Sequence, residues 1–212
     1  PFVAGKIWNA ADLESASLQS FSITDAAQTG LDITGDLSIC VWVKTESAIG
    51  TDIGYDIVAK WEVNPNASYR FNLQDRTNVE SIDFTASDDG NPANASNVII
   101  NTSISVGDWH FLCMVHTMST KTAEMFVDSS SVGSGVHTET TLINAAGAFE
   151  VGAVRATNNN FDGLIDELGI WSRTLSSTEI VNLYNNGNGC NYPFENDCSP
   201  SSVKSDLIFF NW

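Results

Sequence analysis

The sequence predicts an all-β fold in which two antiparallel sheets pack as a sandwich, with one short helix near the C-terminus. Short segments with strand character recur along almost the whole chain and are separated by turn-forming residues. The apolar spacing of a helix is found only after Trp171. The 212 residues contain no internal linker rich in proline, glycine and serine, so they favour a single domain with a two-sheet core.

Strand candidates follow one another from the N-terminus. Leu18, Phe21 and Ile23 indicate an early strand, and the nearly continuous apolar run 37–44 is typical of a central strand. Alternating apolar and polar residues predict strands with one buried face at 69–73 and 82–84. The other candidates are residues 57–61, 98–100, 109–118, 122–127 and 149–154.

The segment 161–187 is the most informative part of the sequence. An extended stretch ends at Trp171, and Ser176 and Glu179 then have the spacing of a capping box. An apolar stripe and a helix stop follow, formed by Ile180, Leu183 and Tyr184 and by Asn185-Asn186-Gly187. We therefore predict one short helix directly after the last strand of the domain.

Asp166 is an ionisable residue within this apolar strand. A period of two places it on one strand face with Leu164, Leu168 and Ile170. A buried carboxylate must be neutralised, paired or bound to a cation, and the chain has 9 Lys+Arg against 26 Asp+Glu. Two interpretations remain open. Asp166 binds a hard cation with other oxygen ligands, or it accepts backbone N–H bonds at a strand end.

The run FDGLIDELGIWSRTLSSTEIVNLY resembles the C-terminal signature of laminin G-like domains, which belong to the concanavalin A-like lectin/glucanase superfamily. The stretch LDITGDLSICVWVK and the VGDWH before residue 111 are similar to other motifs of that family. The resemblance implies an antiparallel jelly roll, a structural calcium with Asp166 as its carboxylate ligand, and no catalysis. It divides the chain into an N-terminal segment 1–15, a domain 16–187 and a C-terminal extension 188–212.

The four cysteines allow three pairings. Cys40 and Cys113 both lie in strand candidates, and the related pentraxins carry a cross-strand disulfide at similar places. The resemblance therefore implies a Cys40–Cys113 disulfide, and Cys190 and Cys198 would then close a short loop after the helix. Both bridges require an oxidising compartment. The alternative is a cytosolic sandwich with buried free thiols.

The formal net charge of −17 disfavours nucleic acid and anionic lipid as partners, because both would be repelled. No apolar run has membrane-spanning length. The charge fits a cation-rich extracellular setting, and the chain begins at Pro1 without a basic and apolar leader, as secreted proteins do after processing. We therefore expect an extracellular or cell-surface protein that does not insert into a membrane.

Residues that carry catalysis are not arranged as known reactions require. Glycosidases of the superfamily place two carboxylates in a tight E-x-D-x-x-E-type motif, which the sequence lacks. The three histidines have no metal-binding spacing. We therefore predict a non-catalytic module that binds carbohydrate or an extracellular protein surface. A glycan hydrolase is a remote alternative.

Two turn regions provide further candidate ligands. Trp61, beside the turn 64–66, is the best exposed candidate for stacking against a sugar ring. Asp88 and Asp89 begin a DDGNP turn that weakly resembles calcium-binding loops. A solvated turn is the simpler interpretation of the second region.

Both ends of the chain carry apolar residues outside the resemblance. These residues are Phe2 and Ile7 at one end and Leu207, Phe209, Phe210 and Trp212 at the other. They pack either on their own sandwich or on another copy by strand addition. In the second case the chain is a structural subunit that builds an extracellular filament or surface assembly from copies of itself.

Overall fold

The computed structural model describes residues 2–190 and 206–210, the last two as backbone only. The described residues form two antiparallel sheets. The first sheet contains β1 (Phe2–Ala4), β2 (Asn9–Leu13), β13 (Gly163–Trp171), β4 (Leu37–Thr45), β9 (His110–Thr117), β10 (Thr122–Val127) and β11 (Ser130–Val136), in that spatial order. The strand β14 (Leu207–Phe210) pairs with the second half of β13.

The second sheet has six strands. Their spatial order is β3 (Phe21–Ile23), β12 (Phe149–Val151), β5 (Gly54–Trp61), β6 (Ala67–Asp75), β7 (Glu80–Ala86) and β8 (Ser96–Asn101). All pairings between neighbouring strands are antiparallel. The predicted all-β sandwich of two antiparallel sheets is therefore confirmed.

The main core lies between the two sheets. Leu112 and Ile165 enter it from the first sheet, and Phe71 and Phe84 enter it from the second. All four side chains are 0% exposed. Burying such a side chain contributes about 1.5–3 kcal/mol. Because side chains alternate along a strand, the polar residues between these apolar ones lie on the outer faces of the sheets.

The predicted helix is present as α1 (Ser177–Tyr184). Its capping box is formed in both directions, since the Ser176 hydroxyl accepts the Glu179 N–H and the Glu179 carboxylate accepts the Ser176 N–H. Ile180 and Leu183 pack on Trp42 and other residues of the outer face of the first sheet. The helix thus covers that face and leaves the outer face of the second sheet accessible.

The cross-strand disulfide predicted in the core sheet is confirmed. Cys40 and Cys113 are register partners in β4 and β9, with their Cα atoms 4.2 Å apart, and their sulfur atoms are bonded. Cys198 lies outside the described residues, and so does its predicted bond to Cys190.

The strands β2 and β11 were not among the strand candidates of the sequence. β2 pairs with β13, so residues that precede the family resemblance belong to the first sheet. β11, with the sequence SSVGSGV, has almost no apolar residues and is held by backbone pairing with β10. The predicted early strand is shorter than expected, because Leu18 follows a 3-10 turn, has φ +53° and is 52% exposed.

Candidate functional site

The outer face of the second sheet carries a groove of about 310 Å³. In β6, Tyr69, Phe71 and Leu73 enter the core, so the residues between them, Arg70 and Asn72, face the groove. The same alternation in β7 and β8 turns polar residues outward. The strands therefore line the groove with polar side chains, while their apolar side chains lie in the core.

Antiparallel register arranges these groove residues in cross-strand rows. Arg70 lies opposite Thr85, and Thr85 lies opposite Asn97. Asn72 lies opposite Asp83 in the adjacent row. Residues directly opposite one another have Cβ atoms about 4.5–5.5 Å apart. Such rows can contact neighbouring hydroxyl groups of one bound molecule.

Residues from β5 and from three connecting segments complete the groove. They are Trp61 at the end of β5, Arg76 after β6, Pro92 and Ala95 between β7 and β8, and Arg155 after β12. Gln74 contributes a further amide from β6. The wall is therefore assembled from parts of the chain that are nearly 100 residues apart, as the positions 61 and 155 show.

Asp83 lies at the bottom of the groove and is 1% exposed. The Arg76 guanidinium forms an ion pair with it, but neither carboxylate oxygen accepts a well-aligned hydrogen bond from the described residues. Burial raises the pKa of Asp83, while the nearby Ser81 hydroxyl and the Arg76 guanidinium act in the opposite direction. The carboxylate thus retains hydrogen-bond acceptor capacity inside the groove.

Arg70 is held against a buried carboxylate. Its Nε and Nη2 donate to the two oxygens of Asp56 at 2.9 and 2.8 Å, and Asp56 is 0% exposed. Burial raises the pKa of Asp56 to about 6, although Arg70 opposes the shift. This pair makes the guanidinium a rigid part of the wall.

Trp61 is not the exposed platform that the sequence predicted. It is 4% exposed and packs with Ala59, Ala67 and Val154, and the Arg70 guanidinium carbon lies 5.7 Å from its ring centroid. The residue still lines the groove. The exposure prediction is wrong because Val154 and Ala95, from distant parts of the chain, pack in the same cluster as the indole.

Arg155 projects from a turn that a buried acid stabilises. Arg155 and Ala156 have φ values of +55° and +59°, which non-glycine residues rarely adopt. The Glu150 carboxylate accepts both of their backbone N–H groups and is 3% exposed. Burial raises the pKa of Glu150, and these two N–H bonds oppose the shift. The turn presents the Arg155 side chain to the groove.

The groove was not predicted from the sequence. The alternation at 69–73 and 82–84 predicted which residues face outward, but not that both strands would share a groove with Arg155. A usable signal is the position of the arginines, since three of the four lie in or beside segments of the second sheet.

Asp166 is 1% exposed, but its surroundings differ from the simple alternating strand that was predicted. The register of β13 and β4 shifts between Asp166 and Gly169, and Glu167 has φ +49°. This irregularity moves Asp166 out of the row formed by Leu168 and Ile170, which enter the main core. The predicted face is therefore wrong from residue 167 onward.

Both oxygens of the Asp166 carboxylate accept backbone N–H groups. Oδ2 accepts from Ile7 and Oδ1 from Glu167, each at 2.8 Å. Burial raises the pKa of Asp166 to about 6, and these backbone contacts oppose the shift. These two bonds are the backbone contacts that the hydrogen-bonding interpretation expects, and calcium binding by Asp166 stays a prediction.

The other acidic candidates are held by turns or gather at the surface. Asp88 accepts the N–H and hydroxyl of Thr140, and the backbone contact lowers its pKa. Asp89 accepts from Asn91 and from neighbouring side chains, as in a turn. A separate cluster places carboxylate oxygens of Asp12, Glu14 and Glu46 within 4.8 Å of one another. Exposed acids commonly gather without a metal, so no metal role follows.

The terminal segments pair within their own chain. Phe2 is 56% exposed and stacks on Phe21, and Ile7 is partly buried. At the other end, β14 pairs with β13, and Leu207 packs beside the helix cluster. The side chains of Phe209 and Phe210 and all of Trp212 lie outside the described residues. Assembly through these segments stays a prediction.

The chain is similar to known proteins in its family pattern and in its fold. A family model described as the concanavalin A-like lectin/glucanases superfamily matches residues 18–181. No curated protein sequence matches significantly. Among the helices of the described residues, none combines the length and the apolar character needed to traverse a bilayer.

One similar solved structure is domain 4 of AbnA, a GH43 extracellular arabinanase from Geobacillus stearothermophilus, and that domain is in complex with arabinotriose. The TM-score is 0.60 and the sequence identity is 21%, and the match covers 85% of this chain and 79% of that chain. A native heptameric SAP-like pentraxin from Limulus polyphemus has TM-score 0.55 and 12% identity, with 84% and 81% covered. The binding domain of botulinum neurotoxin serotype G has TM-score 0.65 and 16% identity, with 87% and 44% covered.

At these identities the structural likeness shows the fold alone. The family match, however, extends from the first strand of the second sheet into the helix that covers the first sheet. This chain therefore belongs to the concanavalin A-like lectin/glucanase superfamily.

Proposed function

We propose that the chain is a carbohydrate-binding module whose binding site is the groove on the second sheet. The observation that carries this proposal is Asp83, a carboxylate 1% exposed at the bottom of the groove whose oxygens accept no well-aligned hydrogen bond from the described residues. The Arg76 ion pair offsets part of the cost of burying this carboxylate, and a sugar hydroxyl can donate to the acceptor capacity that remains.

The rest of the groove supports a sugar ligand. Asn72 lies beside Asp83, and Thr85 and Asn97 form the adjacent row, so donors and acceptors alternate over the floor. Sugars present closely spaced hydroxyl groups that match such a surface. Trp61 and Pro92 provide apolar contact at the wall.

The same groove favours binding over hydrolysis. Asp83 is the carboxylate among the described lining residues, and the nearby Asp56 is committed to Arg70. Glycoside hydrolysis generally requires two carboxylates that flank the scissile bond. The neighbouring structures include a domain in complex with arabinotriose and a toxin binding domain, which support a binding role.

An extracellular location is part of the proposal. The Cys40–Cys113 disulfide persists in an oxidising compartment, and the similar structures include a domain of an extracellular arabinanase. Adhesion to a glycan-bearing surface would follow from glycan binding in that setting.

A glycan array followed by isothermal titration calorimetry tests this function. We expect the wild-type chain to bind an oligosaccharide and Asp83→Asn to weaken binding about 10- to 100-fold, because hydrogen bonds to a charged acceptor contribute about 1.5–3 kcal/mol each. Asn97→Ala, on another strand of the groove, should also weaken binding.

Glu14→Gln is the matched control, since it removes a carboxylate that does not line the groove. It should bind as the wild type does. Thermal melting checks that each variant is folded. Glycan binding that survives both groove substitutions would refute the assignment of the site.

Calcium at Asp166 stays a prediction from the family resemblance, and melting in excess calcium and in EDTA tests it. If Asp166 acts only as the acceptor of the Ile7 and Glu167 N–H groups, the melting temperature is equal in the two solutions. Asp166→Ala should lower it in both solutions, because two backbone N–H groups lose their acceptor, at about 1–3 kcal/mol. A calcium-dependent rise in the wild type that Asp166→Ala abolishes would instead establish the ion.

A further inference from the structure

The groove concentrates the arginines of an acidic chain. The sequence contains four arginines and has a formal net charge of −17, and three of the four, Arg70, Arg76 and Arg155, line this one groove. Arginine provides a planar fork of N–H donors that matches a carboxylate. A guanidinium can bind a ligand carboxylate only where its N–H groups are not already paired with acids of the chain.

Two of the arginines are paired with acids of the sheet. Arg70 binds Asp56 through two hydrogen bonds, and Arg76 forms an ion pair with Asp83. These pairs leave little net charge at the floor. They nevertheless keep N–H donors close to the position that a ligand would occupy.

Arg155 differs from both. Among the described residues it forms no ion pair, and its buried Nε donates no hydrogen bond. Arg155 is half-buried, and a buried N–H donor without a partner is costly, so this guanidinium is the group in the groove that gains most from an anionic partner.

The turn that carries Arg155 is built to hold it in place. Glu150 binds the backbone N–H groups of Arg155 and Ala156, the second at 2.6 Å, and does so from a position that is 3% exposed. Its carboxylate is therefore committed to the backbone. Positive φ values at two successive non-glycine residues make the turn unusual, and the Glu150 contacts offset that cost.

We propose that the groove recognises a sugar that bears a carboxylate, with the Arg155 guanidinium as the partner of that carboxylate. This inference rests on the proposed carbohydrate-binding function and adds its ligand class. Asp83 and Asn72 would bind hydroxyl groups of the same molecule. The net charge of −17 repels a continuous polyanion, so the ligand is an isolated acidic sugar in a mainly neutral glycan.

Two ligand pairs test the proposal and distinguish the sources of the carboxylate. 3′-Sialyllactose is compared with lactose, and a neutral oligosaccharide that bears one glucuronate is compared with its methyl ester, which keeps the shape and removes the charge. We expect at least one acidic member to bind about 10- to 100-fold more tightly than its neutral partner, as a charge-assisted pair implies. Added sodium chloride should reduce that preference.

In Arg155→Gln the ratio of acidic to neutral affinity should fall to about one, because the partner of the carboxylate is removed. Lys44→Gln is the matched control, because it makes the same charge change outside the groove lining and should keep the preference. A preference that survives in Arg155→Gln would overturn the assignment of Arg155.

The two proposals fail in different ways. Acidic and neutral ligands could bind the wild type equally, and Asp83→Asn could abolish the binding of both. That result would overturn the acidic-sugar inference and leave the carbohydrate-binding function intact. Absence of binding to every glycan, acidic or neutral, would overturn both.

Discussion

Replacing Cys40 and Cys113 together with alanine is expected to lower the free energy of unfolding by about 4 kcal/mol. The disulfide joins residues 73 apart in sequence, and closing a loop of that length removes about 4 kcal/mol of chain entropy from the unfolded state. Both cysteines are buried, at 2% and 0% exposure, so alanine avoids burying a hydroxyl group. Urea denaturation followed by tryptophan fluorescence measures the change.

The control for this prediction is the wild-type chain under reducing and oxidising conditions. Reduction should destabilise the wild type by at least as much as the double substitution does. In the double variant, reduction should have a much smaller effect. A double variant as stable as the wild type would show that the packing of β4 on β9 alone holds this region, and the predicted contribution would be wrong.

Acid is expected to destabilise the protein through a buried histidine pair. The Nε2 atoms of His116 and His137 lie 2.8 Å apart, and the residues are 0% and 3% exposed. One neutral ring donates to the other, so protonating both places N–H against N–H. Burial lowers the pKa of His116 to about 4, and burial also lowers the pKa of His137.

The direction of the change in stability with pH follows from proton binding. Because the folded state binds these protons less tightly than the unfolded state, the stabilisation is complete above about pH 6.5 and is lost as the pH falls towards 4. For His116 the shift from 6.5 to about 4 corresponds to about 3 kcal/mol. Urea denaturation at pH 7, 5 and 4 measures the loss.

Several carboxylates, Asp56 and Asp166 among them, titrate in the opposite direction, so the histidine contribution must be isolated by difference. The pKa values of Asp56 and Asp166 are raised to about 6, which makes the folded state relatively more stable as the pH falls from 6 to 3.8. His116→Leu combined with His137→Leu should reduce the acid-induced loss by about 3 kcal/mol. An identical pH profile in the double histidine variant would contradict the prediction.

Local signals in the sequence were sufficient for several elements. The capping box of Ser176 and Glu179 involves groups three residues apart, so it forms wherever the helix forms. Apolar alternation at 69–73 predicted a half-buried strand for the same reason, because its period depends only on neighbouring residues. The family resemblance added the Cys40–Cys113 pairing, which the register of β4 and β9 confirms.

Asp166 shows how a local pattern fails. Its alternation with Leu168 and Ile170 breaks because β13 pairs with three different strands, and the register shifts where the partner changes from β2 to β14. No neighbouring residue encodes that change. The acceptor role of the carboxylate likewise depends on Ile7, which is 159 positions away.

By itself, the sequence determined the two-sheet class, the helix and the family, because periodicity and short-range motifs act over a few residues. Only the tertiary structure decided where a ligand can bind. The groove exists because the pairing of β5, β6, β7 and β8 brings Trp61, Asp83 and Asn97 onto one face, and because the turn after β12 places Arg155 at its wall. Backbone hydrogen bonds between distant segments set that arrangement, and no short-range pattern in the sequence shows which strands will pair.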